Sequence, residues 1–139
     1  MKNLFAFLIS ATILFSVSSC KKNHQKPSCF NTTQLEKRWN NAYTISQYYN
    51  STNNITNTQI DSPKGYFTLN TNGSYNVLSN NIPLDGIWQI NEANCNLVLD
   101  INTSIQRSFS VIKLTNDSLV ISTKDSANMV IRTQHYVKN

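Results

Sequence analysis

The chain has 139 residues, a formal net charge of +5, and 40% hydrophobic but only 14% charged residues. That length supports one domain with a modest core and leaves no room for a second. The basic residues between Lys37 and Lys138 are scattered, not gathered into a stripe with stacking aromatics, so nucleic acid is excluded as a partner class.

At the start of the chain, Lys2 precedes an uncharged apolar run from Leu4 to Phe15 that ends in Val17-Ser18-Ser19-Cys20. The run is shorter than the roughly 20 residues of a membrane span. A basic start, a short apolar core and small residues before the cut are what a secretion signal requires. With Cys directly after the small residues, the segment resembles a bacterial lipoprotein signal peptide with its lipobox. The resemblance implies a signal peptide over 1–19, a lipidated Cys20 at the head of the mature chain, and three acyl chains there, palmitate among them. One acyl chain alone would hold a protein only reversibly. Residues 20–29 then read as a lipidated tether, polar, basic and punctuated by Pro27. Lys21, and not the Asp of the inner-membrane retention signal, follows Cys20, so the expected location is the outer membrane, with either face open to the domain.

The domain itself is expected over 30–139. Asn31-Thr32-Thr33 reads as a cap or turn, and Gln34 to Arg38 as one short helical turn. Trp39 to Tyr49 is aromatic and β-branched, with Tyr43, Ile45 and Tyr49 as candidates for a buried face. Asn50 to Asp61, rich in Asn and Thr, reads as the longest loop. Apolar alternation then recurs between turn signals. Tyr66 to Leu69 and Tyr75 to Val77 flank Asn72-Gly73, a strong hairpin signature. Gly86 to Ile90 and Asn96 to Ile101 form a second hairpin, and Phe109 to Leu114 with Leu119 to Ile121 a third. Ser126 to Val137 supplies a closing strand, with Trp88 the leading core candidate.

About eight strands, each followed by a short turn, predict an all-β fold: an up-and-down antiparallel β-barrel whose closure removes exposed edges. An oxidising compartment favours a disulfide between Cys29 and Cys95, with two unpaired thiols as the alternative.

Leu35 and Trp39, Tyr66-Phe67-Thr68-Leu69-Asn70 before Asn72-Gly73-Ser74-Tyr75, Gly86-Ile87-Trp88, and Phe109 through Ile121 together resemble, in order, the lipocalin-like domain of small envelope lipoproteins. The resemblance implies a binding module with no shared catalytic residue. Trp39, Phe67, Tyr75, Trp88 and Ile90 are the candidate ligand-lining residues, with simple core packing as the competing role.

No Gly-x-Ser-x-Gly, His-Glu-x-x-His or phosphate loop is present, and His24 and His135 lie far apart, so no catalytic residue, metal or cofactor is expected. Asp117-Ser118-Leu119 and Asp125-Ser126-Ala127 resemble acceptor sites for envelope O-glycosylation, against plain turn chemistry. Two functions follow as expectations. One is an anchored, non-enzymatic barrel binding a small hydrophobic or amphipathic ligand; the other is a filled-core interaction protein that meets an envelope partner through loops such as Asn50 to Asp61. A pocket of about 300 Å3 or more would favour the first.

Overall fold

Left-handed backbone at Asn53, Asn80, Asn81, Asn102 and Gly73 marks where this chain reverses direction. Asn and Gly tolerate that region because a short polar side chain, or none, avoids the Cβ clash. In the computed structural model, which describes residues 29–139, these turns separate nine strands. The expected signal segment 1–19 and the expected lipidation site Cys20 lie outside the described residues.

The strands are β1 (Arg38–Tyr49), β2 (Ile55–Asp61), β3 (Gly65–Leu69), β4 (Ser74–Ser79), β5 (Ile82–Asn91), β6 (Asn96–Leu99), β7 (Arg107–Leu114), β8 (Ser118–Asp125) and β9 (Val130–Lys138). All pairings are antiparallel. β3 through β9 follow one another as a meander, and β9 returns to β1 from Trp39↔Lys138 to Tyr48↔Val130. The result is a closed eight-stranded barrel of β1 and β3–β9, with β2 as one extra strand.

β2 corrects the expected loop over Asn50 to Asp61. Asn50 Oδ1 accepts hydrogen bonds from Thr52 N, Thr52 Oγ1 and Asn54 N at 2.7–3.0 Å. That tight turn sends Ile55–Asp61 back along Thr44–Tyr49 of β1. Every residue of β2 is exposed, so neither face carries the apolar alternation by which a strand is recognised.

β1 carries a second correction. An irregularity between Asn41 and Tyr43 shifts the alternation, so the buried face runs through Trp39, Thr44 and Ser46. Tyr43, expected inside, is exposed and stacks on His135 with ring centroids 4.1 Å apart. The closing strand begins at Val130, because Ser126 to Met129 form the turn after β8.

Core packing fills one end of the barrel. A 3-10 turn over Thr32–Gln34, capped by Asn31 Oδ1 accepting from Thr33 N at 3.1 Å, sets Leu35 against Trp39. Both are fully buried, and Trp39 Nε1 donates to Leu35 O at 3.0 Å, so the indole leaves no buried donor unpaired. Leu69, Leu97 and Leu119 complete this closed half. Trp88 is only half-buried; it packs on the core edge and donates Nε1 to Asn70 O at 3.0 Å. Trp39 therefore takes the central role expected of Trp88.

Cys29 and Cys95 are joined, with Cα atoms 5.3 Å apart. The bridge ties the segment ahead of the 3-10 turn to the turn between β5 and β6. Its sequence separation of 66 corresponds to about 4 kcal/mol in the chain-entropy account of cross-linking.

Trp39→Ala is expected to destabilise the domain by about 3–5 kcal/mol in urea unfolding, because the cavity it leaves lies under a covalently pinned plug. Trp88→Ala should cost about half as much, since the indole is already partly in water. Equal losses would contradict this division of the core.

Candidate functional site

Followed away from the closed end, the inward side chains change from apolar to polar along the same strands. On β9 the order is Tyr136, Gln134, Arg132; on β4 it is Tyr75, Val77, Ser79; on β1 it is Trp39, Asn41, Thr44, Ser46. At the level where packing stops, a chamber of about 170 Å3 opens, walled by Phe67, Val77, Leu84, Leu99, Phe109, Ile121 and Tyr136, with Ser79, Arg107 and Gln134.

Beside it lies a polar cleft of about 500 Å3, lined by Thr44, Ser46, Asp61, Ser62, Pro63, Ser79, Asn80 and Arg132. A side space of about 80 Å3 reaches Asn41, Lys64 and Tyr66. Ser79 lines all three, so they lie side by side at the open end. Asn41 Oδ1, in the wall of the side space, is buried without a hydrogen-bond partner among the described residues.

Beneath the chamber sits a three-residue polar cluster. Tyr75 Oη donates to Asp100 Oδ2 at 2.7 Å, and Arg107 Nη2 donates to Tyr75 Oη at 2.8 Å and to Asp100 Oδ2 at 3.0 Å. Asp100 is buried and has left-handed backbone at φ 55°. Its N–H donates to Ile87 O at 2.9 Å, while Thr103 Oγ1 donates to its carbonyl at 2.6 Å. Gly86, paired with Tyr75 across β4 and β5, makes the cluster fit: a Cβ there would strike Asp100 Oδ1 and the Tyr75 ring.

Burial raises the Tyr75 hydroxyl above its ordinary pKa, and its bond to Asp100 adds to the rise, so the phenol remains a donor at neutral pH. Burial pushes Tyr136 up to about 12, opposed by a hydrogen bond from Asn41. At the rim, Arg132 Nη1 lies 3.5 Å from Asp125 Oδ2. Hydrogen bonds from Asn128, then Arg132, hold the Asp125 carboxyl below its ordinary value. Positive and negative side chains are therefore interleaved around the mouth. Among the described residues, no group of three or more His, Cys, Asp or Glu is gathered as a metal site would need.

Of the residues singled out from sequence, Phe67 lines the chamber, and Tyr75 lies under its floor in the polar cluster. Trp39, Trp88 and Ile90 pack in or against the closed half and line none of the three spaces. Arg107, Asp100, Gln134 and Arg132 went unrecognised. The available signal was Gly86, a glycine inside an apolar strand, which marks close approach by another group. As for the acceptor-like motifs, Ser118 opens β8, partly buried, and its N–H donates to Thr115 Oγ1 at 3.0 Å, whereas Ser126 is exposed in its turn. No protein-family model, curated protein or solved structure matches the chain.

Removing the carboxylate in Asp100→Ala leaves a buried phenol without its acceptor and should cost about 1–3 kcal/mol in urea unfolding, read together with loss of the Tyr75–Arg107 geometry. A change within about 0.3 kcal/mol would mean that the cluster does not help hold the fold.

A second outcome concerns pH. Burial, then the nearby Lys113 charge, lowers the pKa of His135 from its ordinary 6.5. The unfolded chain therefore takes up the proton first, so this contribution to stability is complete above about pH 6.5 and is lost as pH falls through the depressed folded value. The urea midpoint should drop between about pH 7.5 and 5.5, and His135→Asn should flatten that slope.

Proposed function

We propose that this chain is a non-enzymatic lipoprotein of the lipocalin-like kind, anchored at the outer membrane through Cys20, whose barrel mouth takes one end of a small amphipathic molecule. The observation that carries this reading is the polarity gradient: a largely apolar chamber that borders, at Ser79, on a polar cleft.

Size defines how such a molecule would sit. A dry cavity of about 150 Å3 accommodates benzene, so the inner chamber suits a single ring or a short alkyl end. The cleft falls within the roughly 300–1,000 Å3 of ordinary ligand sites and receives the polar remainder. Burying the apolar end removes its surface from water at about 25 cal/mol per Å2, while Gln134, Ser79 and the arginines orient the polar part. The Cys29–Cys95 bridge lies at the packed end, so a lipid tether ahead of Cys29 would leave the mouth directed away from the membrane that holds it. Exchange would then take place with the aqueous side.

A second reading, an interaction protein with a filled core, is favoured by the closed half, where Leu35 and Trp39 leave no space. In that reading the protruding β1–β2 hairpin, its turn at Asn50 to Asn54, would meet an envelope partner.

Native mass spectrometry of the full chain, extracted from its own envelope and freed of detergent in the gas phase, separates the two. The expected result is a co-purifying small molecule that disappears in Val77→Phe, which fills the chamber while leaving the closed end intact. Protein that is empty in repeated preparations, with the variant indistinguishable from it, would overturn ligand binding in favour of the second reading.

A further inference from the structure

Arg107 is held in place by part of its fork and presents the rest to the chamber. Its Nη2 makes both bonds, to Tyr75 Oη and Asp100 Oδ2. Nη1 and Nε make no hydrogen bond among the described residues. The Arg107 side chain is 42% exposed while that of Asp100 is 8% exposed, so the carboxylate lies below and the guanidinium faces upward among the chamber walls.

We propose that Arg107 reads a carboxylate on the bound molecule, an inference that rests on the ligand-binding reading above and names the chemical class of the ligand. A guanidinium has five donors in a planar arrangement, and with Nη2 engaged below, the free Nη1 donates a charge-assisted hydrogen bond to one oxygen of a carboxylate. Gln134 and Ser79 line the same chamber and supply further donors to a second oxygen. The apolar part of the ligand then lies against Phe67, Leu99, Phe109 and Ile121.

Tyr75 and Asp100 act through Arg107 and are positioning residues. Tyr75 Oη accepts from Arg107 while donating to Asp100, so the three side chains lock one another. Gly86 leaves the space in which they meet. A fork fixed before the ligand arrives loses little conformational freedom on binding. Asp100 also balances the guanidinium charge in the unliganded protein, which removes the penalty of an unpaired cation beside apolar walls.

The test uses hexanoate and hexan-1-ol, which share a six-carbon body sized to the chamber and differ in the head group. Each is titrated calorimetrically at neutral pH into the full chain in lipid nanodiscs, with empty nanodiscs as the blank. Hexanoate should bind about tenfold tighter than the alcohol. Arg107→Gln should bring that ratio close to one. Arg107→Lys, which keeps the charge without the fork, should leave an intermediate ratio and serves where the Gln variant fails to fold. Tyr75→Phe should weaken hexanoate binding more than hexanol binding and so lower the ratio, a pattern that lost stability alone does not produce. Equal binding of acid and alcohol to the unaltered protein overturns the carboxylate assignment and leaves barrel binding standing. A ratio that survives Arg107→Gln overturns the role of Arg107. Binding of neither probe overturns this inference together with the reading beneath it.

Discussion

The whole molecule depends on how β1 shares its two edges. One edge is committed to β9 along nearly its full length, and that pairing closes the barrel. The other is divided: Arg38–Asn40 pair with β3, and Thr44–Tyr49 pair with β2. Below the division, β3 continues the meander, and the inward side chains meet across a complete ring. Above it, β2 replaces β3 without a further strand beside it, and the ring is interrupted. Ser62 and Pro63 lie in the short connection between the two strands, and they line the polar cleft with Thr44, Ser46 and Asp61. The recess is thus a product of connectivity, created where one strand hands over to another.

This handover also explains why the interior can be apolar at one end and polar at the other without breaking the rules of strand alternation. In the closed ring, an unpaired polar group would face hydrocarbon and carry a cost of several kcal/mol, so Trp39 supplies the only kind of polar atom tolerated there, a donor already satisfied by Leu35 O. Beside the gap, side chains such as Gln134 and Arg132 border open space that water or a ligand can occupy. Between the two zones, the Tyr75–Asp100–Arg107 cluster satisfies its own hydrogen bonds and forms a floor. It is a polar layer that belongs to the fold and faces the recess at once.

The sequence made the barrel legible wherever a strand has one buried and one wet face. The β3–β4 hairpin at Asn72-Gly73 and the β7–β8 hairpin after Leu114 announce themselves through alternation interrupted by turn residues. β2 has two wet faces, so the same reading finds nothing there. β1 misleads for a different reason, because one irregular residue at Asn41–Tyr43 exchanges its inner and outer faces, and no local pattern records a bulge. The floor of the recess is less legible still. Tyr75 meets partners 25 and 32 positions away, so their convergence follows from barrel closure, not from any motif. The Asn80–Asn81 reversal, with φ of 49° and 66°, joins β4 to β5 as a two-residue turn that Asn chemistry permits, yet it is not among the turns expected from sequence.

The position of the Cys29–Cys95 bond has a mechanical meaning. Traction applied to the chain ahead of Cys29 divides at that residue, between the peptide bond to Phe30 and the covalent link to Cys95. The link is anchored where β5 turns into β6, two strands held by their own ladder, so it is the stiffer of the two routes. Residues 30–37, with Leu35 buried in the core, carry the smaller share of the load beside it. A pull on the chain ahead of Cys29 therefore loads the barrel wall and spares Leu35, and reduction of that single bond would reroute the whole force through Leu35.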